Sequence, residues 1–353
     1  MTHALALGRR GQGRCWPNPA VGCVLLRDRR VVGRGWTPPG GRPHAAARGV
    51  AVDGATAYVT LEPCAHHGRT PPCADALVAA GVARVVVALR DPDPRTDGGG
   101  LARLRAAGIA VTEGVLEEAA ARDHAGFLSR VQQGRPRLTL KLATSFDGRI
   151  ATGSGESRWI TGPEARRLVH AERARHDAVL VGGGTARADD PSLTVRDLGR
   201  IAQPVRIVAS RRLDLPQGAR LLRSASDAPV WMLHGPDAAD DRIAVLEAAG
   251  LRCLAAPLGQ DRHLDPEGML QALGRAGLTS VFCEGGGALA ASLLQAGLVD
   301  QLIGFTAGVA LGAEGRPSLG PLGISALSEA PRFDLIESRA VDGDVLHRWE
   351  RLG

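Results

Sequence analysis

The chain has 353 residues, 44% hydrophobic and 23% charged, with 46 Gly and 22 Pro. That is apolar material for sizeable cores at ordinary globular usage, which excludes disordered and fibrous classes, and the length favours two domains. The formal charge of +6 is uneven: residues 1–134 hold 17 Arg against 11 acidic residues, while the remainder holds 26 basic and 26 acidic. Such a basic region favours anionic partners, either phosphorylated small molecules or nucleic acid. No apolar run reaches spanning length and the N-terminal residues lack the order of a signal peptide, so a cytoplasmic protein without membrane contact is expected. Six Cys are too sparse for a disulfide scaffold and read as thiols, metal ligands or small buried groups.

In chain order, residues 21–26 and 31–36 read as a hairpin around a polar turn, and 56–61 as a buried strand. Helical spacing follows over 73–80, 101–107 and 116–132, with a strand over 84–89. Gly and Pro in 132–136 mark a boundary, giving domains 1–134 and 136–353. The second part restarts with a strand over 138–145, a Gly/Ser-rich loop, and a helix opening at Thr161, with Thr161 as its cap. Further strands are predicted over 178–182, 205–210, 230–233, 280–285 and 301–306. The expected class is α/β with crossover helices in both parts.

The segment TLEPCAHHGRTPPC (60–73), with His44 before it, carries the strongest chemical signal. One His and two Cys, His44, Cys64 and Cys73, leave a fourth tetrahedral position open, as a catalytic Zn²⁺ requires to hold water. The alternative is two buried cysteines beside an incidental His. The Gly/Pro-rich loop and the neighbouring His66 and His67 favour the metal.

PNPAVGC (17–23), GGRPHA (40–45), VTLEPCAHHGRTPPC (59–73) and DPDP (91–94) together resemble the zinc deaminase domain of the bifunctional riboflavin-biosynthesis deaminase–reductase family. The second half is similar to that family's reductase in LTLKLATSFDGRIATGSGESRWITG (138–162), RARHDAVLVGGGTARADDPSLTVR (173–196) and CEGGGALAASLLQAGLVD (283–300). The resemblance implies a cytidine-deaminase-like domain followed by a dihydrofolate-reductase-like one, with Zn²⁺ and NADPH as cofactors. It implies deamination of 2,5-diamino-6-ribosylamino-4(3H)-pyrimidinone 5′-phosphate, then reduction of the ribosyl chain to ribityl. The partner is thus a phosphorylated pyrimidine rather than nucleic acid, and a homo-oligomer, dimer or tetramer, is expected.

Carried over residue by residue, the resemblance makes His44, Cys64 and Cys73 the zinc ligands. Asn18, His66, Arg69, Thr70, Asp91 and Asp93 line the pyrimidine and ribose-phosphate pocket. In the reductase, Ser157, Arg173, Leu193, Arg196 and Glu284 fall at substrate positions, and Ala143, Trp159, Thr185, Asp189, Ser210, Gly286 and Gly287 at cofactor positions. The glycine clusters 182–184 and 285–287 read either as tight strand-to-helix turns or as phosphate cradles. Trp159 reads either as a core aromatic or as a cover for a planar ring.

Two features stand apart. Lys141 is the only lysine among 43 basic residues and lies between apolar neighbours in a predicted strand, a place for a compact ammonium that a guanidinium would not fill. In the family reading it meets the sugar and orients it for hydride transfer. The second feature is a departure: zinc deaminases of this type carry His-x-Glu, the Glu moving protons without ligating the metal, and here Ala46 holds that position. The stretch from there to Tyr58 is also shorter than the family's. A natural loss of deamination, an altered sequence, or a substitute acid such as Asp53 would each account for this. Two rivals follow: a non-catalytic zinc scaffold supporting a reductase, and a nucleic-acid deaminase, for which Trp16, Trp36, Tyr58 and Phe127 are few stacking residues.

Overall fold

The structure is a computed structural model that describes residues 1–41, 52–67 and 71–352. His44, Ala46, Arg69 and Thr70 lie outside the described residues. The chain divides into two compact units, Met1–Arg135 with Gly277–Thr279, and Pro136–Ala276 with Ser280–Gly353.

The first unit opens with α1 (Thr2–Gly8), which the sequence reading did not anticipate, and the hairpin β1 (Gly22–Arg27) and β2 (Arg30–Trp36). Its two-residue turn places Asp28 and Arg29 at φ 50° and 62°, the left-handed pair that matches the twist of antiparallel strands. There follow β3 (Thr56–Val59), α2 (Cys73–Ala79), β4 (Arg84–Val87), α3 (Gly99–Ala106), β5 (Ala110–Thr112) and α4 (Glu117–Gln133). The sheet order is β2-β1-β3-β4-β5, antiparallel across the hairpin and β1–β3, and parallel from β3 onward. Val59, Val85 and Val87 pack with Leu77 of α2 and Leu101 and Leu104 of α3 as its core.

The second unit runs β6 (Arg137–Ser145), β7 (Arg149–Ala151), α5 (Pro163–Arg175), β8 (Ala178–Gly182), α6 (Gly183–Asp189), β9 (Val205–Ala209), α7 (Arg220–Arg223), β10 (Val230–His234) and α8 (Asp240–Ala248). It continues with β11 (Arg252–Ala255), α9 (Pro266–Arg275), β12 (Ser280–Cys283), α10 (Gly287–Gln295), β13 (Gln301–Ala307), β14 (Arg316–Pro317), β15 (Phe333–Val341) and β16 (Asp344–Arg351). The large sheet has the order β11-β10-β9-β8-β12-β6-β13-β16-β15. It is parallel from β11 to β13, with antiparallel β16 and β15 closing one side. The central strands read as continuous apolar runs because helices cover both faces of such sheets.

One local expectation is corrected. The helix after the Gly/Ser-rich loop begins at Pro163, and Gly162, not Thr161, is its N-cap. Proline suits the first helical position because its missing N–H has no helical acceptor there. The Gly162 N–H is taken by Asp344 Oδ2 at 2.7 Å, which anchors the N-cap residue itself, and no side chain caps the first turn.

Candidate active sites

In the first unit a cavity opens at the ends of β3 and β4, lined by Asn18, Cys64, His66, Cys73, Asp91 and Asp93 among others. Cys64 and Cys73 converge across the start of α2, where the Cys73 N–H donates to Cys64 Sγ at 3.3 Å. The Cys73 thiol is pushed up by its hydrogen bond with Cys64 and by burial. Two soft sulfur donors facing one another fit zinc, with His44 the third ligand expected from sequence. Among the described residues no group of three metal-ligating side chains forms.

Around the thiols, Asn18 is held under Gly41, whose φ is +78° and where a Cβ would lie 2.0 Å from Asn18 Nδ2. His66 Nδ1 is 3.3 Å from Thr96 Oγ1. Burial lifts Asp91 to a pKa of about 6, while its Oδ1 accepts the Asp93 N–H at 2.9 Å. Asp93 is clamped by Arg95, with Nε at 2.9 Å from Oδ1 and Nη2 at 2.5 Å from Oδ2, which holds its carboxyl below the usual range.

Two further acids are placed by the structure. Glu62, buried at the cavity wall, spends both oxygens on backbone amides of Asp91, Gly98, Gly100 and Leu101, so it fastens the start of α3 and has no lone pair left for proton transfer. Asp53, the substitute acid considered from sequence, is corrected. It is exposed on the turn before β3, beside Gly81, and does not line the cavity.

In the second unit Lys141 projects from β6, and Glu284 follows the end of the neighbouring β12. Lys141 Nζ stands 3.9 Å from Glu284 Oε2. From α5, Arg173 grips the same carboxylate, Nε to Oε1 at 2.5 Å and Nη2 to Oε2 at 3.0 Å, and gives Nη1 to the Thr194 carbonyl at 2.8 Å. Burial pushes the Lys141 ammonium below its ordinary value against the pull of Glu284, and Glu284 is held low by Arg173 and Lys141 despite its burial. Leu193 is buried with φ +53°, a strained turn immediately before Thr194, whose carbonyl is Arg173's acceptor, and two residues further on comes Arg196. The Arg196 N–H reaches His170 Nδ1 at 3.3 Å. His170 was not singled out from sequence, yet it lies one helical turn before Arg173 on α5, the spacing that puts two side chains on one face. Its imidazole is pushed down by burial and by Arg173 and Arg196.

Of the positions expected from sequence to meet the cofactor, Thr185, Ser210, Gly286 and Gly287 follow the C-terminal ends of β8, β9 and β12, adjacent strands of a parallel sheet, where open α/β sheets bind ligands. Thr185 Oγ1 accepts the Gly286 N–H at 2.8 Å, tying the start of α6 to the start of α10. Ser210, buried after β9, packs so close that a Cβ on Gly183 would lie 3.1 Å from its own. A Cβ on Gly285 would lie 3.0 Å from the Gly182 amide nitrogen, so these glycines serve close backbone approach. Gly287 opens α10. Ala143 is half-buried on β6, and Asp189 and Ser157 are exposed. Trp159 is 68% exposed with the Arg166 guanidinium 4.5 Å above its ring, so it is no core aromatic. The ledge of backbone amides fits the phosphates of an anionic dinucleotide.

Fold and sites together define a zinc-deaminase-like unit followed by a reductase unit. Residues 1–89 match the cytidine and deoxycytidylate deaminase zinc-binding region, and residues 136–347 match the RibD C-terminal domain. Riboflavin biosynthesis protein RibD of Escherichia coli is 41% identical over 98% of this chain and 96% of its own, and that of Aquifex aeolicus 38% identical over 94% and 91%. The solved Acinetobacter baumannii RibD (form 2) superposes with TM-score 0.88 at 37% identity, covering 99% of this chain and 97% of that one. A Thermotoga maritima diaminohydroxyphosphoribosylaminopyrimidine deaminase/5-amino-6-(5-phosphoribosylamino)uracil reductase gives 0.85 at 33% identity, over 100% and 97%. The chain belongs to the RibD family, the bifunctional deaminase–reductases of riboflavin biosynthesis. Its units accordingly have the cytidine-deaminase-like and dihydrofolate-reductase-like folds, and the family's cofactors are Zn²⁺ and NADPH. No helix among the described residues is long and apolar enough to cross a membrane.

Proposed function

We propose that this chain reduces 5-amino-6-(5-phosphoribosylamino)uracil through its second unit, residues 136–353, and that residues 1–134 hold zinc but deaminate poorly. The observation that carries the reading is the Lys141–Glu284–Arg173 constellation, assembled at one end of the parallel sheet next to the glycine ledge. NADPH, when bound, supplies the hydride that C1′ of the opened sugar imine receives. Lys141 holds a proton near the sugar and imine nitrogen, the ammonium being kept facing the site by Glu284. Arg173 fixes the Glu284 carboxylate, so Lys141 meets an oriented acceptor rather than a mobile one. Arg196, Leu193 and Ser157 hold the sugar-phosphate end, and Trp159, Ala143, Thr185, Asp189, Ser210, Gly286 and Gly287 the cofactor.

In the first unit, zinc held by His44, Cys64 and Cys73 would supply an ionisable water at neutral pH. Asn18, His66, Arg69, Thr70, Asp91 and Asp93 bind the pyrimidine and its phosphate. The sequence offers no proton carrier at position 46, and neither Glu62 nor Asp53 is placed to substitute. A positioned general acid/base is worth typically ~10²–10⁴-fold, so its loss accounts for slow deamination with the pocket otherwise furnished. The protein works in the cytosol as a homo-oligomer; Leu335 and Ile336, about half-exposed on the edge strand β15, support association between copies. Mixing the deaminated substrate and NADPH with purified protein tests the reading: NADPH oxidation yielding the ribitylamino compound is expected, and its absence overturns the proposal.

A further inference from the structure

Arg206 on β9 is 0% exposed, and its guanidinium is committed to neutral oxygens. Nη1 donates to the Ser192 carbonyl at 3.3 Å and Ser224 Oγ at 2.7 Å, and Nη2 to the carbonyls of Ser224 at 2.7 Å and Ala228 at 2.5 Å. Nε is buried with no partner. No carboxylate pairs with this cation among the described residues. Asp227 is the one acid that acts on it, from beyond ion-pair distance, and accepts instead from the Ser226 hydroxyl. A buried charge without a counter-charge is costly, so its surroundings should show where compensation comes from.

They show a cavity. Arg206 lines it together with Arg196, Arg220 and Arg223, with Ser192 and Thr194, and with one carboxylate, that of Asp227. Arg220 and Arg223 stand three residues apart on α7, one face of a single turn. Ser224 Oγ donates to the Arg220 carbonyl at 2.6 Å while accepting from Arg206, so the buried cation itself sets α7 over the cavity. Arg220 is partly neutralised by Asp190, Nε to Oδ2 at 3.4 Å. Among the described residues, the guanidinia of Arg196 and Arg223 and the hydroxyls of Ser192 and Thr194 have no hydrogen-bond or ion-pair partner. Four guanidinia around one cavity, against the carboxylates of Asp227 in its lining and Asp190 on Arg220, leave an excess of positive charge, and a multiply charged oxyanion relieves that repulsion while using the guanidinium forks in their preferred geometry.

We propose that the cavity floored by Arg206 and walled by Arg196, Arg220 and Arg223 is a phosphate-binding site. It reaches beyond the Lys141–Glu284–Arg173 centre through the 192–196 segment. The occupant is the phosphate group of a ligand other than the reductase substrate. Inorganic phosphate titrated calorimetrically into the full-length protein in chloride buffer is the test, read without turnover and so independent of the reductase reading. Binding of one phosphate per chain is expected, weakened roughly tenfold by Arg223→Gln, which removes a charge-assisted donor, less by Arg223→Lys, and unchanged by Arg275→Gln, an exposed charge outside the cavity. Phosphate binding retained when the deaminated substrate is saturating is the expected result, and its loss would make the cavity part of the substrate's own sugar-phosphate subsite and overturn a separate site. No heat at millimolar phosphate, or equal affinity in the Arg223→Gln and Arg275→Gln proteins, overturns the site.

Discussion

Arg173 holds Glu284 by two parallel hydrogen bonds, at 2.5 and 3.0 Å, while Lys141 approaches the same carboxylate from another strand at 3.9 Å. The carboxylate is thus shared unequally. Arg173 sets its plane, and Lys141, the looser partner, keeps an ammonium free to meet a substrate. A bidentate fork suits the fixed role and a compact ammonium on a flexible stem suits the other.

Glu284→Gln therefore removes the one negative charge between two largely buried cations. Breaking a buried pair from one side typically costs about 3–5 kcal/mol, because the remaining charges stay desolvated and unpaired. Denaturant unfolding should show a loss of that size, with reductase turnover falling as well. A stability change under about 1 kcal/mol would mean that solvent already screens the cluster.

Lys141→Arg retains the charge but widens the head group and fixes its donors in a plane. Steady-state assays should show turnover reduced at least roughly tenfold, less than the ~10²–10⁴-fold a positioned proton donor supplies because the charge is kept. A rate equal to the parent's would make the chain's single lysine a compositional accident.

Gly285→Ala tests the glycine ledge. The new Cβ would lie 2.7 Å from Leu289 Cδ2 and 3.0 Å from the Gly182 nitrogen, and backbone cannot yield as a side-chain tip can. The β8 and β12 turns must separate, so the KM for NADPH should rise several-fold while zinc content stays constant. An unchanged KM would show that the turns are tight for packing alone.

His124 gives a pH signature in the first unit. Burial depresses its imidazole to a pKa of about 4 from an unfolded value near 6.5. The unfolded chain thus binds the proton first as pH falls, so stability is fully present above about 6.5 and declines toward pH 4. Against His124→Gln, the wild-type protein should lose roughly 3 kcal/mol across that window. Parallel stability curves for the two proteins would contradict a buried neutral imidazole.

Much of this was legible in the residues. The hairpin at 22–36 announces itself by apolar runs about a polar turn, and the strands at 178–182 and 230–233 by unbroken apolar runs. The segment β15 was not legible, since an edge strand with residues such as Asp334, Glu337 and Arg339 has no buried face to impose alternation. Short α1 and β5 carry too few residues for a period to show. Lys141, Arg173 and Glu284 could be marked from sequence, but their meeting at one carboxylate depends on β6 and β12 being neighbours, which no local pattern states. Arg206 was hidden for a different reason. Inside the apolar run VRIVAS it reads as one more outward residue of a strand, whereas the fold buries it completely.

Zinc and proton transfer separate in the first unit. Metal analysis should find about one zinc per chain, lost in Cys73→Ser but retained in Ala46→Glu, because the restored carboxylate would not be a ligand. Ala46→Glu should raise ammonia release by about 10²-fold or more if the residues after His44 present it to the metal-bound water. Zinc-free protein from metal-replete preparation would contradict the ligand assignment.

The central claim, an intact reductase beside an impaired deaminase, is tested most directly by following both products in one sample. Purified protein is given the diaminopyrimidine substrate and, in parallel, its deaminated form, with NADPH in each. Ammonia release slower than NADPH oxidation on the deaminated substrate by at least about 10²-fold is the predicted result. Ammonia released from the diaminopyrimidine at a rate matching NADPH oxidation would contradict it and require another proton carrier near Cys64 and Cys73.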